Sequence, residues 1–155
     1  MSAPTKVFKC QIRDVRFGAD VTVVEPVNLY ECEIGEGCFI GPFVEIQKGV
    51  VVGNRTRVQS HTFICELVSV GEDCVIGHGV MFINDLFSEG GPARGRTNLW
   101  KPTHIGNHVS IGSNATLLPV RICDRVVIGA GAVVTKDITL PGVYAGNPAK
   151  RLRTL

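Results

Sequence analysis

From Ile34 onward an apolar residue stands at every sixth position: Ile34, Ile40, Ile46, Val52, Val58, Ile64, Val70, Ile76 and Phe82. Val, Ile, Leu, Met and Phe make up about one third of the chain, so nine unbroken hits arise by chance on the order of 5 × 10⁻⁵ per starting point. Glycine follows five of the nine, at Gly35, Gly41, Gly53, Gly71 and Gly77. A period of six fits neither the 3.6-residue helix nor the heptad. It is even, and even periods suit strands, whose side chains alternate between two faces. Three sixes close one triangular coil of eighteen residues. The apolar residues then stack in inward columns: 34/52/70, 40/58/76 and 46/64/82. Cys38, Thr56 and Cys74 occupy one small-residue corner of that stack, which makes these cysteines fillers and not nucleophiles.

The beat extends in both directions. Val15, Val21 and Val27 keep it before a seven-residue step to Ile34. Ile105, Ile111 and Leu117 resume it, followed by a five-residue step to Ile122, Ile128 and Val134. The sequence thus predicts an all-β, single-domain chain over 1–155, with a solenoid over 15–135, an external loop over 84–103 and a C-terminal tail over 136–155. The tail loses the beat at the Pro141-Gly142 turn and ends in a short closing strand or helix. Solenoid ends need caps, because each coil buries its face only against the next.

Other classes are disfavoured. The net charge of +2 is too mild for a nucleic-acid or membrane surface. One Trp and two Tyr provide no stacking platform for single strands. The six cysteines form no CxxC pair, and "MSAPTKVFKC" has no apolar leader. They read as reduced, mostly buried thiols of a cytoplasmic protein.

The repeat resembles that of the hexapeptide-repeat family, whose fold is the left-handed parallel β-helix and whose members are usually trimers. The resemblance, not the spacing, supplies the handedness and the trimer. It sharpens in the segments "IGHGVMFINDLF", "VSIGSNATLLP", "VVIGAGAVVTKD" and "GVYAGNPAKRL", with a Trp shortly before "IG". In that order they are similar to the nucleotide-sugar N-acyltransferases, over about Val27 to Arg151. The resemblance implies acetyl transfer from acetyl-CoA, with no metal, to the amine of a dTDP- or UDP-linked amino-deoxy sugar. A 3-amino sugar of a surface-polysaccharide precursor is the expected class. Where the family reads "LLPGV" this chain reads "LLPV", and the coil is expected to depart locally before Ile122.

Acetyl transfer needs a neutral amine, a proton acceptor, a donor for the developing oxyanion and a groove for the long thiol. His61 and His78 are seventeen residues apart, nearly one coil, so they share a corner. A histidine near neutral pH is the readiest general base. His78 is the catalytic candidate and His61 a substrate-binding one; His104 and His108 are expected to be surface residues. Asn84 lies eighteen residues beyond Glu66 and thirty-six beyond Lys48, at a different corner. Read with the family, Asn84 hydrogen-bonds substrate or thioester, Asp85 polarises or orients, and Glu66 and Trp100 help bind the sugar. Without the family, "ND" is an Asx turn opening a loop. Six strand residues, roughly 20 Å, separate the two corners. A site that uses both lies between subunits. Phe87, Leu99 and Trp100 are expected to anchor the loop, and Arg94, Arg96 and Lys101 to meet a diphosphate. By resemblance Gly112 and Ala130 line the pantetheine arm, and Lys136, Lys150 and Arg151 face the CoA phosphates.

Two readings compete. Acyl transfer to a hydroxyl or an antibiotic uses the same frame, and a non-catalytic β-helix serves as a binding module. A carbonic anhydrase needs three histidines around one metal, and His78 has no histidine five residues on: that position is Ile83.

Overall fold

The computed structural model describes residues 4–155, and they form a left-handed parallel β-helix. Strands of two to four residues fall into three sheets that wall a triangular prism. Sheet A runs from Ile12–Arg13 to Val133–Val134 in seven strands. Sheet B has six, from Arg16–Phe17 to Arg121–Ile122. Sheet C has eight, from Thr22–Val23 to Lys150–Arg153. The chain visits A, B and C in rotation, and every neighbouring pair is parallel except the last.

The inward columns are those the period of six sets out. Ile34 pairs with Val52, and Val52 with Val70. Ile40, Val58 and Ile76 pair likewise. These side chains and their successors Ile105, Ile111, Leu117, Ile122, Ile128 and Val134 are buried. Each contributes about 1.5–3 kcal/mol by leaving water. The small-residue corner is also polar where it can be. Thr56 Oγ1 donates to Gly71 O (2.9 Å) and accepts from the Cys74 N–H (3.0 Å), tying one coil to the next.

Corners need a left-handed residue to turn the chain. His61 holds φ 63° and Gly79 φ 63° at successive coils of the C-to-A corner. Elsewhere the close stack demands absence of a side chain. A Cβ on Gly53 would sit 2.5 Å from the Gly71 carbonyl carbon, so the coil spacing of about 4.8 Å leaves room only for glycine.

Three expectations are corrected. The inward residues of the first coil are Phe17, Val23 and Leu29, in register with Ile34, Ile40 and Ile46. Val15, Val21 and Val27 lie two residues earlier, on the corner column, so the step to Ile34 is one of five and not seven. Both positions are apolar in every repeat of this coil, Val15 with Phe17, Val21 with Val23 and Val27 with Leu29, so the two phases look alike. Second, the solenoid exceeds 15–135. It begins at Ile12, Ile138 bridges to Ile122, and Gly142–Ala145 adds to sheet C, with Tyr144 continuing the Ile128 column. Only Lys150–Arg153 leaves the pattern, as an antiparallel closing strand. Third, the short "LLPV" step does not distort the coil. Ile122 pairs in register with Ile105, and Asp137 Oδ1 accepts the Arg121 N–H at 2.8 Å.

Candidate functional site

The external loop opens where sheet A hands over to sheet B. Val52 to Val70 takes 18 residues, but Val70 to Ile105 takes 35, so 17 residues sit outside the prism while the register resumes undisturbed. The loop is closed at its base: Lys101 N–H donates to Asn84 O (2.9 Å), and Thr103 N–H to Leu67 O (3.1 Å).

Asn84 stacks directly over Glu66. Its Nδ2 donates to Glu66 O at 3.2 Å, which fixes the amide orientation because a carbonyl can only accept. Oδ1 receives no hydrogen bond from the described residues. Asp85 is different. Oδ1 accepts the Phe87 N–H (2.9 Å) and Oδ2 the Ala93 N–H (2.7 Å), so both carboxylate oxygens hold the loop's own backbone. The carboxylate makes the Asx turn that opens the loop and ties the loop back at Ala93. Phe87 is 58% exposed and anchors nothing; Ala93 is the buried residue of the loop, and Leu99 and Trp100 are half-buried. Arg96 is spent on Glu89 (2.6 Å) and on Ala93 O (3.2 Å). Arg94 and Lys101 are exposed. Arg94 and Arg96 line a hollow of about 330 Å³ with Glu89, Gly90, Gly91 and Pro92.

Below Asn84 the same corner carries an ion pair, Lys48 Nζ to Glu31 at 3.1 Å. That hydrogen bond to Lys48 holds the Glu31 carboxyl below its ordinary range. The Cys65 thiol beside Glu66 is pushed up to about 12 by burial, which removes it as a nucleophile.

His61 and His78 occupy the C-to-A corner, at the other end of sheet A. His61 stacks on Phe43 with ring centroids 4.8 Å apart. His78 is exposed, and its Nδ1 lies 2.8 Å from Ser60 Oγ. Service as a base at Nε2 requires the tautomer in which Nδ1–H donates to Ser60. Gly112 and Ala130 stand on this same corner, one and two coils further on. The B-to-C and C-to-A corners treat their backbone amides differently. At the B-to-C corner, Glu36 and Glu72 N–H are capped by Asn54 and Asn107, and Asn107 N–H by Asp124. At the C-to-A corner the N–H groups of Ser60, His78, Ser113 and Ala130 meet no acceptor among the described residues. They form a vertical row of free donors.

The basic residues expected at the far end lie on two segments. Lys136 follows the last strand of sheet A, and Lys150 starts the closing strand; both are exposed. Arg151 braces the closing hairpin through Pro141 O (2.9 Å). The surface histidine His104 is half-buried, with Nδ1 2.8 Å from Ser69 Oγ. One polar neighbour a coil away was its signal, hidden because the loop puts 35 residues between them.

Comparison with known proteins agrees with this frame. Two repeat models match, bacterial transferase hexapeptide over residues 31–66 and hexapeptide repeat of succinyl-transferase over 102–136. Among curated proteins, the bifunctional protein GlmU of Acidithiobacillus ferrooxidans is 28% identical over 149 residues, covering 90% of this chain and 32% of that protein. GlmU of Clostridium novyi is 38% identical over 109 residues, 70% of this chain and 21% of that protein. The chain therefore spans at most about a third of these relatives' length. A hexapeptide transferase family protein from Anaplasma phagocytophilum superimposes with a TM-score of 0.73 at 18% identity, over 91% of this chain and 79% of that one. A galactoside acetyltransferase in complex with coenzyme A gives 0.62 at 28% identity, over 92% and 65%.

Coils, columns and matches define a protein of the left-handed β-helix class built on hexapeptide repeats. Within that class, this chain is a hexapeptide-repeat protein that resembles the acyltransferases.

Proposed function

We propose that the chain is an acetyl-CoA-dependent N-acetyltransferase acting, without a metal, on the amine of a dTDP- or UDP-linked amino-deoxy sugar, with a 3-amino sugar as first choice. The observation that carries the reading is the loop at the Asn84 corner: an Asp-tethered excursion that leaves Asn84 Oδ1 open beside it. Oδ1 accepts a hydrogen bond from an acceptor amine and orients its lone pair. Arg94 and Lys101 are the loop cations free to meet a diphosphate.

Coenzyme A fits the C-to-A corner. The row of free N–H groups at His78, Ser113 and Ala130 matches the amide carbonyls of an extended pantetheine arm, and Lys136 and Lys150 lie at the end where its phosphates would fall. Acetyl-CoA supplies the activated thioester. Asn84 and Ala130 sit on different corners of one prism, so a second copy must bring its C-to-A corner to the first copy's loop. The outer face of sheet A, with Phe63, Met81 and Val133, is the apolar surface between them. A homotrimer with three shared sites follows, working in the cytoplasm where nucleotide sugars are made.

The test is a screen of nucleotide-linked 3-amino and 4-amino sugars with acetyl-CoA, read by free-thiol release. Release with an amino sugar supports the reading. Release only with hydroxyl acceptors favours O-acetylation, and coenzyme A binding without turnover favours a binding module.

A further inference from the structure

We propose that His104, held by Ser69, takes the acceptor's proton, and that it does so at the Asn84 corner; this deepens the N-acetyltransferase reading and rests on it. The case is one of position. Lys101 N–H is bonded to Asn84 O, and His104 lies three residues on. Asn84 Nδ2 is bonded to Glu66 O, and Ser69, which holds His104, also lies three residues on. Both routes are short runs of extended backbone, about 10 Å at 3.3 Å per residue. Side chains of Asn and His projecting from backbones that close can touch one small group. Within one chain His78 has no such route. It is separated from Asn84 by a full strand of sheet A, about 20 Å by the same measure.

The environment suits the task. His104 is half-buried on the outer face of sheet B, with Nδ1 engaged by Ser69 Oγ at 2.8 Å. The arrangement fixes the ring and leaves Nε2 for a ligand. The flanking strands present Ser69 on one side and Arg121 on the other, in register with His104. Arg121 N–H is held by Asp137, and Lys101 precedes His104 on its own segment. Asn84 Oδ1 orients the amine, whose nitrogen attacks the thioester carbonyl. A C–N bond forms, the C–S bond breaks, and the amine proton passes to His104 Nε2 and then to the departing thiolate. Amide and free coenzyme A thiol are the products. Ser69 is a positioning residue, acting only through the imidazole.

The experiment compares the unchanged protein with His104→Ala, His78→Ala and Ser69→Ala, measuring kcat, the KM for acetyl-CoA and the pH profile. Loss of His104 is expected to lower kcat about 100-fold, the scale of a general base, with acetyl-CoA KM within about twofold. The acid limb of the kcat profile disappears, and added imidazole restores part of the rate. Ser69→Ala gives a smaller loss and keeps the limb, and His78→Ala likewise keeps the limb. A His104→Ala protein with unchanged kcat and pH profile overturns the assignment, as does loss of the limb on replacing His78 instead. A His104→Gln protein with native circular dichroism separates a chemical loss from a folding one. Absence of thiol release by the unchanged protein with every amino sugar would overturn the parent reading, and this inference with it.

Discussion

Replacing Asp85 with Ala separates loop tethering from chemistry. The carboxylate holds two backbone N–H groups, of Phe87 at 2.9 Å and Ala93 at 2.7 Å. A hydrogen bond to a charged acceptor is worth roughly 1.5–3 kcal/mol, and Asp85 is half-buried, so the lower end applies to each. Losing both costs the closed loop about 3 kcal/mol, which is roughly a 100-fold rise in its open population. Hydrogen exchange read residue by residue should show the Phe87 and Ala93 amides speeding by about that factor. Amides of the prism, such as Ile76 and Ile111, should not change, because the loop lies outside the coil register. Protease nicking within 88–97 should rise in parallel, and the acceptor KM should rise more than kcat falls. Asp85→Asn keeps one acceptor and should fall between. Unchanged exchange at Phe87 and Ala93 together with a collapsed kcat would refute the tether, and would place Asp85 at the reacting atoms.

Thr56→Val removes a hydroxyl that joins Gly71 O to the Cys74 N–H and leaves both without a partner. The expected loss is about 2–4 kcal/mol, a melting temperature lower by roughly 5–12 °C in calorimetry. Gly53→Ala should fold poorly or melt much earlier, since its Cβ would lie 2.5 Å from the next coil's carbonyl carbon. Thiol labelling at pH 8 should modify exposed Cys10 first; Cys32, pushed up to about 11, and Cys65, up to about 12, should react only after unfolding. The Asp73 carboxyl is held below its ordinary range by hydrogen bonding to Arg55, so its contribution is present above the unfolded value near 3.8 and is lost as pH falls below it. Melting temperature should therefore drop below about pH 4, less steeply in Asp73→Asn and in high salt.

The period of six carried most of the fold, because each inward residue in a β-helix is dictated by the one a coil below. It named the columns at Ile34, Ile40 and Ile46 and the place where the loop leaves. It misread the first coil because the corner valines Val15, Val21 and Val27 are as apolar as the inward Phe17, Val23 and Leu29. The ends failed for a related reason: Ile138 and Tyr144 continue their columns at steps of sixteen, which a fixed period does not reach. At the site, Asn84 over Glu66 followed from a spacing of eighteen. The Asx turn of Asp85 onto Phe87 was legible in "ND", but its second bond to Ala93 and the Arg151 bond to Pro141 were not, since those backbone atoms have no sequence signature. His104 escaped for want of a visible partner. Ser69 becomes its neighbour only after the 17 inserted residues are removed from the count.

The central claim is that acetyl moves from acetyl-CoA to a nitrogen of a nucleotide-linked amino sugar. The most direct measurement is turnover with carbonyl-labelled acetyl-CoA, followed by mass spectrometry and NMR of the nucleotide-sugar product. One added acetyl group, with its labelled carbonyl coupled to the sugar-amine nitrogen and one free thiol released per product, is the predicted result. An acetyl group found on a sugar hydroxyl, or no acetylated product from any 3-amino or 4-amino sugar, would contradict it.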